Sequence, residues 1–258
     1  MALTIATWNV NSIRARTERV IPWLEANKPD VLCMQELKVE ADKFPTEAFT
    51  AIGYQVVLHA QKTYNGVAIV SRVPASDVRT GMDDGVEDDQ ARLIGATVAG
   101  VRIYSVYAPN GQAVGTDKFE YKLQWLDRFR RFLDDKCDRA QPLALCGDYN
   151  VAPEAKDVHD PVAWAKETLF HVDARVALER VRAWGLVDLF RLQHQEPGYY
   201  TWWDYQMLAF PKGRGLRIDH VFATETLARK CTDCWIDREA RKGQKPSDHA
   251  PVIATFEL

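Results

Sequence analysis

The sequence predicts an α/β fold in which two mostly antiparallel β-sheets pack face to face and helices cover their outer surfaces, giving a four-layer sandwich. Three observations predict this architecture. The chain contains many short apolar runs of strand length, it contains few helical patterns, and the two do not alternate strictly as in a βαβ protein. Because no fixed repeat and no low-complexity linker divides the chain, we expect one domain over 1–258.

The predicted strands are apolar runs that end at polar or turn residues. They cover residues 3–8, 31–36, 54–60, 66–72, 92–98, 101–108, 142–147, 198–203, 217–224, 232–238 and 251–257. Acidic residues 83–89 fall between two of these runs, and we interpret them as a solvated surface turn.

Helices are predicted over 15–27, 117–139 and 173–184. Pro22 weakens the pattern of the first helix. The second helix has the clearest apolar stripe, which consists of Phe119, Leu123, Leu126 and Leu133. The third is expected to begin at Asp173 as its N-cap and to end just before Gly185.

Composition places the chain among ordinary soluble proteins. It has 258 residues, 47% of them hydrophobic and 27% charged, and a formal net charge of −3. The first residues lack a basic segment and reach the polar Asn9 early, so we predict no signal peptide. Apolar stretches are also shorter than the roughly 20 residues a membrane helix needs, so we predict a cytoplasmic protein without a membrane partner.

Cysteine usage agrees with a reducing compartment. The number of cysteines is odd, at five, and Cys33 and Cys146 lie inside apolar runs, which is typical of buried thiols. Cys231 and Cys234 form a C-x-x-C pair, but a structural zinc site would need a second pair at comparable spacing. We therefore favour unpaired thiols over a metal or redox site.

Polar clusters follow the ends of six predicted strands. They contain Asn9 and Asn11, Gln35 and Glu36, Tyr107 and Asn110, Gly147 to Asn150, Arg217 to His220, and Ser247 to His249. A single acid at a strand end is usually a turn residue. Six such clusters indicate more, because neighbouring strands can deliver their ends to one common rim.

The groups that would meet at this rim are rich in carboxylates and amides: Glu36, Asp148, Asp219, Asp248, Asn9, Asn150, His249 and Tyr107. So many carboxylates in one cleft would repel each other unless a cation neutralised them. Oxygen ligands without cysteine suit Mg²⁺ or Mn²⁺. The sequence therefore predicts metal-assisted hydrolysis of a phosphodiester, with a carboxylate to activate water and with histidine and amide donors for the developing charge.

Seven motifs in sequence order carry a family resemblance. They are residues 7–16 (TWNVNSIRAR), 35–38 (QELK), 107–111 (YAPNG), 147–150 (GDYN), 201–205 (TWWDY), 217–219 (RID) and 247–251 (SDHAP). Together they resemble the exonuclease III branch of the endonuclease/exonuclease/phosphatase superfamily, whose members have a deoxyribonuclease I-like fold. The resemblance implies a Mg²⁺-dependent DNA repair nuclease that cuts 5′ to abasic sites, removes 3′ blocking groups and degrades 3′ ends. Its expected partner is double-stranded DNA with such sites or ends, and we expect it to act as a monomer.

The same resemblance implies roles for the rim residues. Metal ligands would be Glu36, the principal one, with Asn9 and Asp248 near the same ion or its waters, and Asp148, Asn150 and His249 as further ligands if a second ion binds. Catalytic residues would be Asp148 on the attacking water, Asn150 supporting the transition state, His249 on the phosphate, Asp219 orienting His249, and Tyr107 near the phosphate or the leaving oxygen. The number of ions, and whether Asp148 or His249 is the base, stay open.

Lys212, Arg214 and Arg217 lie in a basic stretch, 210–217, that contains no acid, so we expect them to contact DNA phosphates. Asn110 is also expected to bind DNA, and the resemblance implies that Trp202 lines the pocket for a base-less sugar. Trp202 and Trp203 could instead both be core residues, since aromatic side chains bury large areas. A second basic stretch, 238–245, precedes Asp248 and is also expected near the DNA backbone. His159 and Leu216 depart from the family pattern, which leaves the balance of the three activities open.

Two other classes of function are considered. One is a phosphodiesterase of the same superfamily acting on inositol phosphates or sphingomyelin, which the Trp202 motif and the basic loops disfavour. The other is a nucleic-acid-binding protein that has lost catalysis, which the retained Glu36, Asp148 and His249 disfavour.

Overall fold

The structure, a computed structural model, describes residues 2–258. In this range the chain forms twelve strands: Ala2–Asn9 (β1), Val31–Gln35 (β2), Gln55–His59 (β3), Val67–Ser71 (β4), Ser76–Thr80 (β5), Leu93–Val98 (β6), Val101–Tyr107 (β7), Leu143–Asp148 (β8), Leu186–Asp188 (β9), Asp219–Thr224 (β10), Cys231–Ile236 (β11) and Val252–Glu257 (β12). Its α-helices are Ile13–Asn27 (α1), Thr46–Thr50 (α2), Asp117–Lys136 (α3), Pro161–Trp164 (α4), Val172–Arg182 (α5), Leu189–Gln193 (α6) and Glu225–Ala228 (α7).

The strands form two six-stranded sheets. The first has the order β11-β12-β1-β2-β4-β3 and the second the order β5-β6-β7-β8-β10-β9. Each sheet contains one parallel pair, β1 with β2 and β7 with β8, and its other neighbours are antiparallel. The predicted pair of mostly antiparallel sheets is confirmed.

Three apolar layers hold the sandwich together. The central layer lies between the sheets and contains side chains such as Ile5 of β1 and Ile103 of β7. Alternate side chains of the same strands point outward, where helix α1 covers the first sheet and helices α3 and α5 cover the second. This period of two matters for function, because it decides which side chains at a strand end face the other sheet.

Two strands of the structure were not predicted, and one predicted strand is absent from residues 2–258. Strand β5 is exposed along its whole length and β9 has only three residues, so neither carries an apolar run that could be recognised. The run 198–203 is not a strand. Its Trp202 makes only isolated bridges, to Leu216 and to His249, because the segment crosses between loops at the sheet ends.

The three predicted helices exist with shifted details. Helix α1 tolerates Pro22 in its interior, and α3 buries Lys122, whereas Leu123 is only partly buried. Helix α5 begins after His171, whose ring nitrogen accepts a hydrogen bond from the Asp173 backbone. Asp173 therefore lies in the first turn, and the prediction that it is the N-cap is wrong.

None of the helices in residues 2–258 has the length and apolarity that crossing a membrane requires. The expectation of one domain over 1–258 stays a prediction.

Candidate active site

The candidate site begins where the inward-facing rows of the sandwich change from apolar to polar. On β1 this row consists of Leu3, Ile5, Thr7 and Asn9. Leu3 and Ile5 belong to the core between the sheets, and Asn9, at the end of the strand, is fully buried. The strand period therefore aims Asn9 at the second sheet.

The second sheet delivers three side chains in one row. Tyr107 of β7 pairs in register with Asp148 of β8, and Asp148 pairs with Asp219 of β10. All three are buried. Gly147 permits the close approach of β7 and β8, because a Cβ at that position would lie 1.9 Å from the carbonyl oxygen of Val106.

Several residues just past the strand ends have left-handed backbones. Glu36 has a φ of 52° and Asn150 a φ of 51°, and Asn11 and Lys38 are also in this region. Such conformations are uncommon for residues other than glycine and are typical of functional sites. Here they redirect the chain so that the side chains after β2 and β8 remain at the site.

Asn9 joins the two sheets at this point. Its Nδ2 donates to Oε1 of Glu36 at 2.8 Å and to Oδ2 of Asp148 at 2.9 Å. Its Oδ1 accepts from the Asn11 backbone at 3.0 Å, so its amide oxygen already has a partner. Asn9 therefore orients the two carboxylates more directly than it could bind an ion.

His249 lies between two acids. Its Nδ1 is 2.8 Å from Oδ2 of Asp219 and its Nε2 is 3.8 Å from Oδ2 of Asp148. Burial alone would lower the pKa of His249, but the charges of Asp219, Asp148 and Asp248 outweigh burial and raise that pKa to about 10. These charges favour the protonated ring, an imidazolium in which both nitrogens donate.

Two other groups of the site have raised pKa values. Burial raises the pKa of Asp148 to about 7, reinforced by the charges of Asp219 and Glu36 and opposed by that of His249. Burial and the charges of Glu36 and Asp148 raise the pKa of Tyr107 well above its usual value, so its hydroxyl keeps its proton. The crowded carboxylates thus carry an electrostatic cost that a cation would relieve.

The arrangement fits a hard divalent cation. Glu36, Asp148 and His249 each offer an atom, and these atoms lie within 4.8 Å of one another. Oδ1 of Asp219 is buried and has no hydrogen-bond partner among the described residues. Carboxylate oxygens are the ligands that Mg²⁺ and Mn²⁺ prefer, and the neighbouring imidazolium favours Glu36 and Asp148 as the direct ligands.

Asp248 lies at one side of this cluster, and both of its oxygens accept hydrogen bonds. Nδ2 of Asn11 donates to Oδ1 at 2.9 Å, and the indole nitrogen of Trp202 donates to Oδ2 at 3.0 Å. Lys38 links Asn11 to Glu36, because its Nζ is 2.7 Å from both Oδ1 of Asn11 and Oε2 of Glu36. Asp248 is thus placed to act through Asn11 and Trp202.

Asn150 supports Asp148 from the other side. Its backbone donates to Oδ1 of Asp148 at 2.8 Å, and its Nδ2 donates to the Ala108 carbonyl at 3.0 Å. Its Oδ1 accepts from Asn110, which is otherwise exposed. Beneath this loop the buried Lys122 donates to the carbonyls of Asn110, Asn150 and Thr168.

Trp202 is half-buried beside the acids. Its ring meets Trp164 edge-on, with centroids 6.0 Å apart, and its backbone pairs with Leu216. His159 follows in the same row, 6.2 Å from Trp164. Trp203, by contrast, is 1% exposed and belongs to a small core of its own. The two adjacent tryptophans therefore have different surroundings, one beside the site and one inside the protein.

One predicted DNA contact is wrong. Arg217 is buried, and its guanidinium pairs with Asp157 at 2.7 Å and with Asp188 at 2.8 Å. A buried side chain that is already paired with two acids cannot reach a phosphate. Lys212 and Arg214 of the same stretch are exposed.

The second basic stretch, 238–245, divides in the same way. Arg241 is buried, with its guanidinium carbon 5.1 Å from the Tyr205 ring centre. Arg238, Lys242 and Lys245 are exposed.

Several residues of the site were not predicted from the sequence. Lys38 lies within the QELK motif but carried no predicted role, and Trp164 belongs to a short helix without a recognisable pattern. Lys122 could have been found, since it interrupts the apolar face of α3 at helical spacing from Phe119 and Leu126.

The sequence pattern of the endonuclease/exonuclease/phosphatase family matches residues 6–249. The chain belongs to this family. It is 32% identical to exodeoxyribonuclease III of Haemophilus influenzae over 97% of this chain and 98% of that protein. Family membership therefore holds over nearly the whole length of the chain.

Two solved structures of this family have nearly the same fold. An AP endonuclease from Archaeoglobus fulgidus is 46% identical, with a TM-score of 0.96 over 99% of this chain and 100% of that one. A 3′ phosphatase from Neisseria, bound to a product DNA hairpin, is 42% identical, with the same TM-score and coverage. The predicted exonuclease III branch, the deoxyribonuclease I-like fold and the function as a DNA repair phosphodiester hydrolase are confirmed.

Proposed function

We propose that this chain uses Mg²⁺, or Mn²⁺ in its place, to hydrolyse phosphodiesters of damaged double-stranded DNA, cutting 5′ to abasic sites and also acting at 3′ ends. The observation that supports this best is the contact between the two sheets: Asn9 holds Glu36 and Asp148 together beside the His249–Asp219 pair. Relatives named for AP endonuclease, exonuclease and 3′ phosphatase activities agree with all three reactions.

Glu36 and Asp148 would hold the ion, with Glu36 as the principal ligand. A divalent cation held there would supply Lewis-acid charge to the phosphate and would make the attacking water more acidic. Asn9 fixes the distance between the two carboxylates by donating to both. The other predicted ligands, Asn150, Asp248 and His249, would act around the ion through hydrogen bonds.

His249 would hold the scissile phosphate. Asp219 fixes the ring through Nδ1, which leaves the Nε2 proton free to donate to a phosphate oxygen. Tyr107 would add a second donor from its protonated hydroxyl. Asp148 would position the attacking water and accept its proton, because it lies between Asn9, Asn150 and His249.

The damaged nucleotide would be recognised beside these groups. Trp202 would wall the pocket for a base-less sugar, with Asn110, Lys212 and Arg214 near the DNA backbone. That the protein acts as a monomer, as expected from the sequence, stays a prediction. The cytoplasmic location expected from the sequence stays a prediction.

The test is a set of three duplexes assayed in parallel with Mg²⁺: one with a single abasic site, one with a recessed 3′ end and one with a 3′ phosphate. We expect cleavage at the abasic site and measurable turnover of both 3′ substrates, and the ratio of the rates defines the balance of activities. Asp148→Asn is the control for contaminating nucleases and should inactivate all three reactions together. An abasic duplex left intact by the wild-type protein would overturn the proposal.

A further inference from the structure

A small polar layer lies between the apolar core and the candidate active site. It consists of Thr7 of β1, Gln35 of β2 and Ser105 of β7, all 0% exposed. Nε2 of Gln35 donates to the hydroxyls of Thr7 and Ser105, at 3.0 Å each, and the Ser105 hydroxyl donates to the Met34 carbonyl at 3.0 Å. The two bonds of Ser105 cross from the second sheet to the first.

Each member of this layer is a near neighbour in sequence of a site residue. Thr7 precedes Asn9 by two positions on the same strand face, and Ser105 precedes Tyr107 in the same way. Gln35 is directly followed by Glu36. Only one or two residues of chain separate each layer residue from its site residue, so a shift of the layer would also shift the site.

The site needs such a link because it is shared between the sheets. Asn9 and Glu36 belong to the first sheet, whereas Tyr107, Asp148 and Asp219 belong to the second. Apolar contacts between the sheets are not directional, so they resist separation better than they resist sliding. Hydrogen bonds have a narrow range of distance and angle and can fix the offset.

We propose that the Thr7–Gln35–Ser105 layer is a positioning device that holds Glu36 of the first sheet at ligand distance from Asp148 of the second. The proposal rests on the proposed function, since it concerns how the metal site is assembled. Because Gln35 and Ser105 are fully buried, they would act through Glu36 and Tyr107 rather than on the substrate. Their loss should weaken metal binding before it weakens the fold.

The test replaces the whole layer by apolar side chains of similar size, Thr7→Val, Gln35→Met and Ser105→Ala in one protein. Removing all three partners together leaves no buried side chain of the layer without its hydrogen bond, so the protein should still fold. Ile103→Val is the matched control, because it trims the same inter-sheet core one step farther from the site. Mn²⁺ affinity, from titration followed by electron paramagnetic resonance, and melting temperature are measured for all three proteins.

We expect the triple variant to bind Mn²⁺ about tenfold or more weakly than the wild type, as is usual when the supports of metal ligands are removed. It should melt no lower than Ile103→Val, whose Mn²⁺ affinity should be unchanged. Mn²⁺ affinity within twofold of wild type in the triple variant would overturn the proposal. Loss of cooperative melting in the triple variant would also contradict it, because the layer would then be needed for folding itself.

The outcome is separable from that of the proposed function. A wild-type protein that binds Mn²⁺ but cleaves no abasic duplex would overturn the proposed function, and the comparison of Mn²⁺ affinities would still decide the role of the layer.

Discussion

Nδ1 of His249 lies 2.8 Å from Oδ2 of Asp219, and both side chains are buried at the same edge of the sandwich. Asp219 is the first residue of β10, in register with Asp148, whereas His249 comes from the loop before β12. This contact brings the loop of one sheet onto a strand of the other. It also holds the imidazole in one orientation, with Nε2 toward Asp148.

The first prediction concerns this pair. Asp219→Asn should lower single-turnover cleavage by one to two powers of ten, each about 1.4 kcal/mol of barrier, because it removes the charge that stabilises the imidazolium. His249→Ala should be slower still, since it removes the donor itself. DNA affinity, measured by fluorescence anisotropy, should stay within a few fold of wild type for both. An Asp219→Asn protein as active as wild type would remove the pair from the mechanism.

A second prediction separates two roles of Trp202. Trp202→Ala should depress abasic-site cleavage far more than hydrolysis of a small phosphodiester, because only the DNA substrate needs a pocket for an extruded sugar. Trp202→Phe keeps an aromatic wall but cannot donate to Asp248, so it isolates the contribution of that hydrogen bond. Rates on both substrates and melting temperatures are compared. Equal losses on both substrates with a lowered melting temperature would make Trp202 a core residue.

The third prediction concerns two exposed cations of the basic stretch 210–217, Lys212 and Arg214. Replacing Lys212 and Arg214 with Ala should weaken binding to all DNA sequences alike and flatten the salt dependence, by roughly 0.9 log–log units for each phosphate that the variant no longer neutralises. Arg229 and Lys230 are exposed at the opposite end of β10 and provide a matched double substitution that should leave the slope unchanged. The salt slope is measured by anisotropy titrations. An unchanged salt slope in the Lys212 and Arg214 variant would show that these side chains are solvated and do not contact DNA phosphates.

A fourth prediction follows from the burial of Arg217. Burial opposes ionisation of Asp188, but the charge of Arg217 outweighs it and lowers the pKa of Asp188 to about 2. A lowered folded-state pKa stabilises the protein above the unfolded-state value, and this stabilisation is lost as pH falls through the folded-state value. The contribution of Asp188 to the free energy of unfolding should therefore be complete near neutral pH. It should decline from about pH 4 toward pH 2, by roughly 2 kcal/mol in total.

Arg217→Met tests this account. It leaves Asp188 buried without its cation, whereas Asp157 keeps its ion pair with Arg191, and this loss should cost about 3–5 kcal/mol at neutral pH. The unpaired carboxylate of Asp188 should then favour protonation, so the stability difference between variant and wild type should shrink as pH falls. Urea unfolding between pH 7 and pH 3 gives both free energies. A variant as stable as wild type at neutral pH would contradict the structural role of Arg217.

The site was predictable from the sequence where it depends on strand period. Asn9, Asp148 and Asp219 continue inward-facing rows whose apolar members are visible as short runs, so their convergence follows from two packed sheets. Arg217 was not predictable in this way, because its partners Asp157 and Asp188 lie 60 and 29 residues away in sequence. A basic residue in a loop-like stretch looks the same whether it is solvated or paired inside the protein.

Other differences have similar causes. Residues 198–203 contain the aromatic side chains of a strand, but their partners are loops, and no alternation reveals that. The polar layer of Thr7, Gln35 and Ser105 is spread over three strands, so its members meet only in the folded chain. Burial and pairing over long distances are thus the properties that residue patterns do not contain.

We propose that the reaction requires a divalent cation held by Glu36 and Asp148. The most direct measurement is the rate of cleavage of an abasic duplex during a Mg²⁺ titration, for wild type and Glu36→Gln, with an EDTA arm for each. We expect wild-type activity to vanish in EDTA, and Glu36→Gln to need more Mg²⁺ and to be slower by several powers of ten even at saturation, each power being about 1.4 kcal/mol. Full wild-type activity in EDTA, or a Glu36→Gln titration that coincides with wild type, would contradict the claim.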